Sequence, residues 1–329
     1  MRIALYGRVG YGPLDSLAEG ARGRLDVVWR RDAVFTSDQV ESFDLVAVHG
    51  LRGASAEIRD AYAAKGVPVL VLDLPHLRGT DQVRLSLGSH DWLPEFDCPP
   101  QRLRALDLRP PELKKTSRPE VLVLGQLPGD SQHGLSSRQL ESWARAQLEA
   151  IEAQTSKKVA WRPHPEAPRP LPGFHRFADP SKPLDEDLAR ARAVVTYNST
   201  AGLEALIAGV PVIAEGPCVY APLSKEIRDL QRIKAPAVEE VQALLQRIAF
   251  TQWTRDELAD GTALAFTLAC IAGEVPFSEE DFEAMAGNAA SNNADDSGID
   301  DEDEGDDTDE GNVANEDDPN ATDDNAGSC

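Results

Sequence analysis

The chain has 329 residues, is 41% hydrophobic and carries a formal charge of −23, which is room for about two domains with a substantial core. The charge is uneven: from Ser291 to Cys329 there are 16 Asp and Glu and no Lys or Arg, leaving residues 1–290 at only −7, a balance that still permits a local basic groove. Four scattered cysteines without a C-x-x-C pair argue against a disulfide scaffold, and no apolar run reaches the ~18–20 residues of a membrane helix.

The N-terminus, MRIALYGRVGYG, reads as a strand, Arg2–Tyr6, running into a glycine turn rather than as an export signal. A cytoplasmic setting with reduced thiols is therefore expected, and the sequons at Asn198 and Asn320 read as chance matches. Further strands are expected at Leu25–Trp29, Leu45–Val48 and Val67–Leu72, with a helix at Ala54–Lys65 ended by Gly66. Alternation of strand and helix predicts a parallel sheet covered by helices, hence a Rossmann-like lobe over residues 1–110. Residues 109–119, RPPELKKTSRP, have the composition of a linker.

A second α/β lobe is expected over 118–275. Its strands are read at Val121–Leu124, Val159–Trp161, Ala193–Tyr197 and Val210–Ala214. Its helices are read at Ser137–Gln154, Thr200–Ala208, Val238–Phe250 and Arg255–Ala272. Two such lobes with a cleft between them make the GT-B architecture, in which ligands bind beyond the carboxyl ends of the strands. Residues 287–329 are acidic, polar and nearly free of large aliphatic groups, so a disordered tail is expected there.

Four segments carry candidate chemistry. In residues 194–216, VVTYNSTAGLEALIAGVPVIAEG, a buried strand runs into a polar turn and a helix. Asn198, Ser199 and Thr200 supply turn and cap, the helix start favours an anion, and Glu204 one turn in is placed for a sugar hydroxyl. A plain capped helix would look the same. Arg162-Pro163-His164-Pro165 follows a strand, so two prolines stiffen the backbone around His164, and the Arg162–His164 pair suits a phosphate; a stiff loop with an incidental histidine is the alternative. Gln126 and Asp130 lie in the loop that opens the second lobe. Asp73 ends an apolar strand, where a carboxylate serves as general base or acid, or merely caps a turn. No Asp-x-Asp pair stands at a strand end, since Asp185 and Asp187 open a helical stretch; no metal or other cofactor is expected.

Together these segments resemble the capsular polysaccharide synthesis family that includes bacterial Kdo transferases. The likeness covers residues 1 to about 275. It rests on the Gln126–Asp130 loop, Arg-Pro-His-Pro, and Asn-Ser-Thr-Ala-Gly-Leu-Glu-Ala followed by Gly-Val-Pro-Val. Asp73-Leu74-Pro75-His76-Leu77-Arg78 looks like the family's acidic strand-end motif, without its customary glycine, and residues 251–264 look like its C-terminal helix. The resemblance implies a GT-B glycosyltransferase with an N-terminal acceptor lobe and a C-terminal donor lobe. Its donor would be a nucleotide-sugar such as a CMP-linked ulosonic acid, and its acceptor a glycan or glycolipid. Gln126, Arg162, His164, Asn198, Ser199, Thr200 and Glu204 would then hold the donor, with Asp73 and Asp130 as catalytic carboxylates. A compact chain with an acidic tail also resembles phage-encoded enzymes that glycosylate hydroxymethylated DNA. In that reading Arg102, Arg104, Arg109, Lys114, Lys115 and Arg118 would meet phosphates. A third reading is a non-catalytic nucleotide-sugar binding protein.

Overall fold

The computed structural model describes residues 1–274 apart from Tyr11, Gln39, 78–80, Asp107, 109–112, 114–118 and Ser131. The expected acidic tail lies outside the described residues, as do nearly all of the expected linker and Arg78, Arg109, Lys114, Lys115 and Arg118.

The first lobe begins with β1 (Arg2–Tyr6), α1 (Gly12–Ala21), β2 (Asp26–Arg30), β3 (Leu45–His49), α2 (Ala54–Ala63) and β4 (Val69–Asp73). β5 (Val83–Leu87) and α3 (Gln101–Ala105) follow. β1 is buried on both faces because successive side chains enter different cores. Ile3 and Leu5 pack with α1, while Ala4 and Tyr6 pack with Ile58 and Tyr62 of α2. Asp73 is the last residue of β4, where the apolar run ends.

The second lobe comprises β6 (Glu120–Leu124), α4 (Ser137–Gln154), β7 (Val159–Arg162), β8 (Arg176–Phe177) and α5 (Leu184–Leu188). It continues through β9 (Ala191–Thr196), α6 (Ala201–Ile207), β10 (Val212–Ala214) and α7 (Val238–Ala249). Its sheet is wholly parallel in the order β10-β9-β6-β7-β8. α4 starts where Ser136 and Gln139 form a reciprocal capping box, and it buries Leu140, Ala144, Gln147, Leu148 and Ile151 along one stripe.

The chain then returns to the first lobe. β11 (Gln252–Trp253) pairs antiparallel with β5, and α8 (Arg255–Ala259) and α9 (Thr262–Ala272) follow. The first sheet thus runs β11-β5-β4-β3-β1-β2. This corrects the expected boundary: residues 252–272 belong to the first lobe, not to a second lobe ending at 275. The reason is packing. Phe250, Trp253, Leu258, Leu264 and Phe266 share a core with Leu14 and Leu17 of α1. The first sheet is also not purely parallel, because β5 runs antiparallel to β4.

Candidate functional site

The loops leaving β6, β7 and β9 converge at the carboxyl ends of the second sheet, where ligands of open α/β sheets bind. They line a cavity of about 720 Å³ together with Arg52, Leu74, Pro75 and Arg84 of the first lobe. Eight of the expected site residues reach it: Gln126, Asp130, Arg162, His164, Asn198, Ser199, Thr200 and Glu204. Asp73 meets it through Arg84, whose Nη2 lies 3.3 Å from Asp73 Oδ2. A smaller cavity of about 430 Å³ adjoins it. Gln132, Asn198 and Thr200 line both, with Arg59, Ser89, His90 and Asp91 on the first-lobe side of the smaller one and Cys218 and Tyr220 on the other.

The turn after β9 is held from inside. The Gln126 amide is satisfied with its oxygen towards the turn, 2.9 Å from Thr196 Oγ1, 3.0 Å from the Ser199 amide and 3.2 Å from that of Asn198. Ser199 Oγ accepts from the Ala201 amide, and Asn198 Nδ2 donates to the carbonyls of Gln132 and Pro217. The Gln126 oxygen and the Asn198 amide nitrogen therefore shape the turn. The space beside Gly202 is filled by Tyr220: a Cβ there would overlap its hydroxyl, which donates to the Ser199 carbonyl at 2.6 Å. What the turn presents to the cavity is the Ser199–Thr200 edge and Glu204.

His164 stands between its two prolines as expected. Its Nδ1 accepts from the Glu166 amide at 3.2 Å, so in the neutral ring the proton sits on Nε2, and any donation comes from that atom. Arg162 is different. Its Nη1 pairs with Asp187 Oδ2 at 2.5 Å and donates to the Asp179 carbonyl at 3.1 Å, and its Nη2 donates to the Lys182 carbonyl at 2.7 Å. Asp187 also receives Arg176, which pairs with Glu120. The expected phosphate role of Arg162 is corrected accordingly: its guanidinium ties β7 to the 179–187 segment, because a buried cation needs that compensation.

Asp130 holds its own loop by accepting from the Gln132 amide at 2.8 Å, and it faces Arg52 of the first lobe at 3.5 Å. Arg52 is 61% exposed at its side chain and is a cation that the sequence reading did not single out. Behind Asp73 lies a buried cluster. Arg84 Nη2 meets His90 Nδ1 at 2.8 Å, and Nη1 meets His76 Nε2 at 2.9 Å and Nδ1 at 3.2 Å. Burial first, and then the Arg84 guanidinium, hold His76 well below the usual histidine range; the same two causes lower His90, opposed by Asp73. Burial pushes the Cys218 thiol up to about 11, which makes it a poor nucleophile at neutral pH.

The sequence reading missed Arg52, Arg84, His90 and Asp91. A signal existed for some of them: Ser89-His90-Asp91 follows Gly88 at the end of a short alternating run. Arg102, offered as a phosphate contact for DNA, is instead taken up by Glu257 and lies 4.1 Å over the Trp253 ring.

Two lobes, each a sheet flanked by helices, with the cleft at their strand ends, define the GT-B fold of glycosyltransferases. Residues 181–224, which include the whole Asn-Ser-Thr-Ala-Gly segment and the helix it opens, match the model of a family described as capsule polysaccharide biosynthesis protein. Among solved structures, the chain is similar to the Thermosulfurimonas dismutans KpsC beta Kdo 2,4 transferase, with 18% identity and a TM-score of 0.50 over 75% of this chain and 90% of that one. It is also similar to the beta Kdo 2,7 transferase of the same KpsC, at 17% identity and a TM-score of 0.47 over 80% and 99%. The glycosyltransferase SnogD of Streptomyces nogalater matches at 14% identity and a TM-score of 0.29 over 82% and 100%. No curated protein matches. The resemblance to the capsular polysaccharide synthesis family is thus borne out in that segment and in the fold.

Proposed function

We propose that this protein is a glycosyltransferase that holds a nucleotide-activated sugar in the larger cavity and an acceptor hydroxyl at the smaller one. One observation carries the reading: strand-end loops of the second lobe and Arg52 and Arg84 of the first face a single cleft. Donor phosphate charge is met by His164 Nε2–H, the Ser199 and Thr200 hydroxyls and Arg52. Glu204 addresses a sugar hydroxyl, and Gln126 and Asn198 keep the turn in shape. The acceptor oxygen attacks the anomeric carbon. The bond from that carbon to the phosphate oxygen breaks with its electron pair going to phosphate, and the hydroxyl proton passes to a carboxylate, Asp73 or Asp130.

Among donors we favour a CMP-linked ulosonic acid, and among acceptors a glycan or glycolipid, following the match over residues 181–224. Transfer is proposed to be metal-independent, since His164 and Arg52 answer the phosphate charge. No helix among the described residues is long and apolar enough to cross a membrane. Cys98, Cys218 and Cys270 are free thiols, which supports a cytoplasmic setting.

The test is nucleotide release from a panel of CMP- and UDP-sugars with EDTA present, with and without glycan acceptors and hydroxymethylated DNA. CMP release that depends on a glycan acceptor is the expected result. UDP release stimulated by modified DNA would replace the acceptor, and nucleotide binding without release from any donor would make the protein a binding module. An Arg52→Ala variant should bind nucleotide about tenfold more weakly, the loss of one charge-assisted contact.

A further inference from the structure

We propose that Arg84 is a positioning residue for Asp73, acting through a clamp it forms with His76 and His90; this rests on the transferase reading above. Arg84 and Asp73 face each other across the antiparallel pair of β5 and β4, which puts both side chains on one face of the sheet. The Arg84 side chain is 1% exposed. A guanidinium has donors only, so the two imidazoles at its Nη1 and Nη2 are acceptors and must be neutral. Asp73 is the carboxylate paired with it, and Asp91 adds a second negative charge.

The Asp73 carboxylate is held from two directions: its Oδ1 accepts from the Leu74 amide at 2.7 Å, and its Oδ2 lies 3.3 Å from Arg84 Nη2. His90 acts on the guanidinium, with Nδ1 accepting from Arg84 Nη2. His76 is fixed in turn, with Nε2 3.0 Å from the His90 carbonyl. The arrangement is costly as architecture. Among the described residues, Arg84 Nε and His90 Nε2 are buried without a hydrogen-bond partner, and such groups in a native protein call for a reason other than stability. An apolar pair at the start of β5 would hold the sheet at less cost. What the clamp adds is a carboxylate with a fixed orientation between Arg84 on the wall of the larger cavity and His90 on the wall of the smaller, where donor and acceptor would meet.

The test compares Arg84→Lys, Asp73→Asn and the double variant in the full chain. The lysine keeps the charge and loses the planar fork. Expected for Arg84→Lys is a fall in kcat of about tenfold or more, with donor KM, nucleotide affinity and melting temperature close to wild type. The double variant should be no slower than Asp73→Asn alone. Unchanged kcat in Arg84→Lys, or a defect that multiplies with that of Asp73→Asn, would overturn the proposal. Ring nitrogen shifts of His76 and His90 report the clamp without turnover: they should move in both single variants. Shifts that stay still would overturn the clamp even in an active enzyme. A wild type that transfers no sugar but shows the coupled shifts would support the clamp and remove the transfer reading.

Discussion

At the scale of single residues, the cleft separates side chains that look alike in the sequence. Arg162 and Arg52 are both arginines near strand ends, yet Arg162 is buried against Asp187 while Arg52 is exposed at the cleft mouth. His76 and His164 both precede or follow a proline, yet only His76 is buried beside a cation. Burial of neutral His76 links stability to pH. Its folded pKa lies below the usual 6.5, so the unfolded chain binds the proton first. The stability this group contributes is complete above about pH 6.5 and is lost as pH falls from there through the lowered folded value. Thermal melts of wild type should decline below that pH more steeply than those of His76→Gln. The amide accepts from Arg84 without titrating, and parallel curves for the two proteins would contradict the assignment.

At the scale of elements, close packing explains where the chain's small residues lie. α1 meets α8 at Gly20, where a Cβ would overlap the Leu258 carbonyl and crowd Gly261. Backbone cannot retreat as a flexible side chain can. Gly20→Ala should therefore cost about 2 kcal/mol in denaturant unfolding, although alanine favours helix by itself. An unchanged midpoint would mean that α8 is not seated on α1 in solution. The longer elements were legible because their apolar periodicity is long enough to stand out: α4 was read at its observed limits, Ser137–Gln154. β5 was not. Its three central residues are all buried, yet two of them are Arg84 and Ser86, and their burial depends on partners from β4 and β11.

At the scale of the whole molecule, the two lobes are tied by the return of the chain. Arg102 on α3 donates to the carbonyls of Ala249 and Gln252, pairs with Glu257 and covers Trp253. Burial raises the Glu257 carboxyl, but hydrogen bonding and charge from Arg102, with Thr254, outweigh it and leave it lowered. Arg102→Ala strands Glu257 without its cation and should cost about 3 kcal/mol of unfolding free energy. Equilibrium unfolding that shows no loss would remove Arg102 as the fastening of the returning segment.

The sequence by itself determined the α/β class, the two lobes, and the strand-end position of Asp73, the His164 segment and the Asn198–Thr200 turn. These follow from local periodicity and from polar residues that terminate apolar runs. Only the tertiary structure decided that residues 252–272 complete the first lobe, that Gln126 and Tyr220 occupy the space around the turn, and that Arg162 and Arg84 are buried against internal partners while Arg52 is exposed at the cleft. Those outcomes depend on which distant groups share a buried volume and must satisfy one another there, and spacing along the chain carries no record of that.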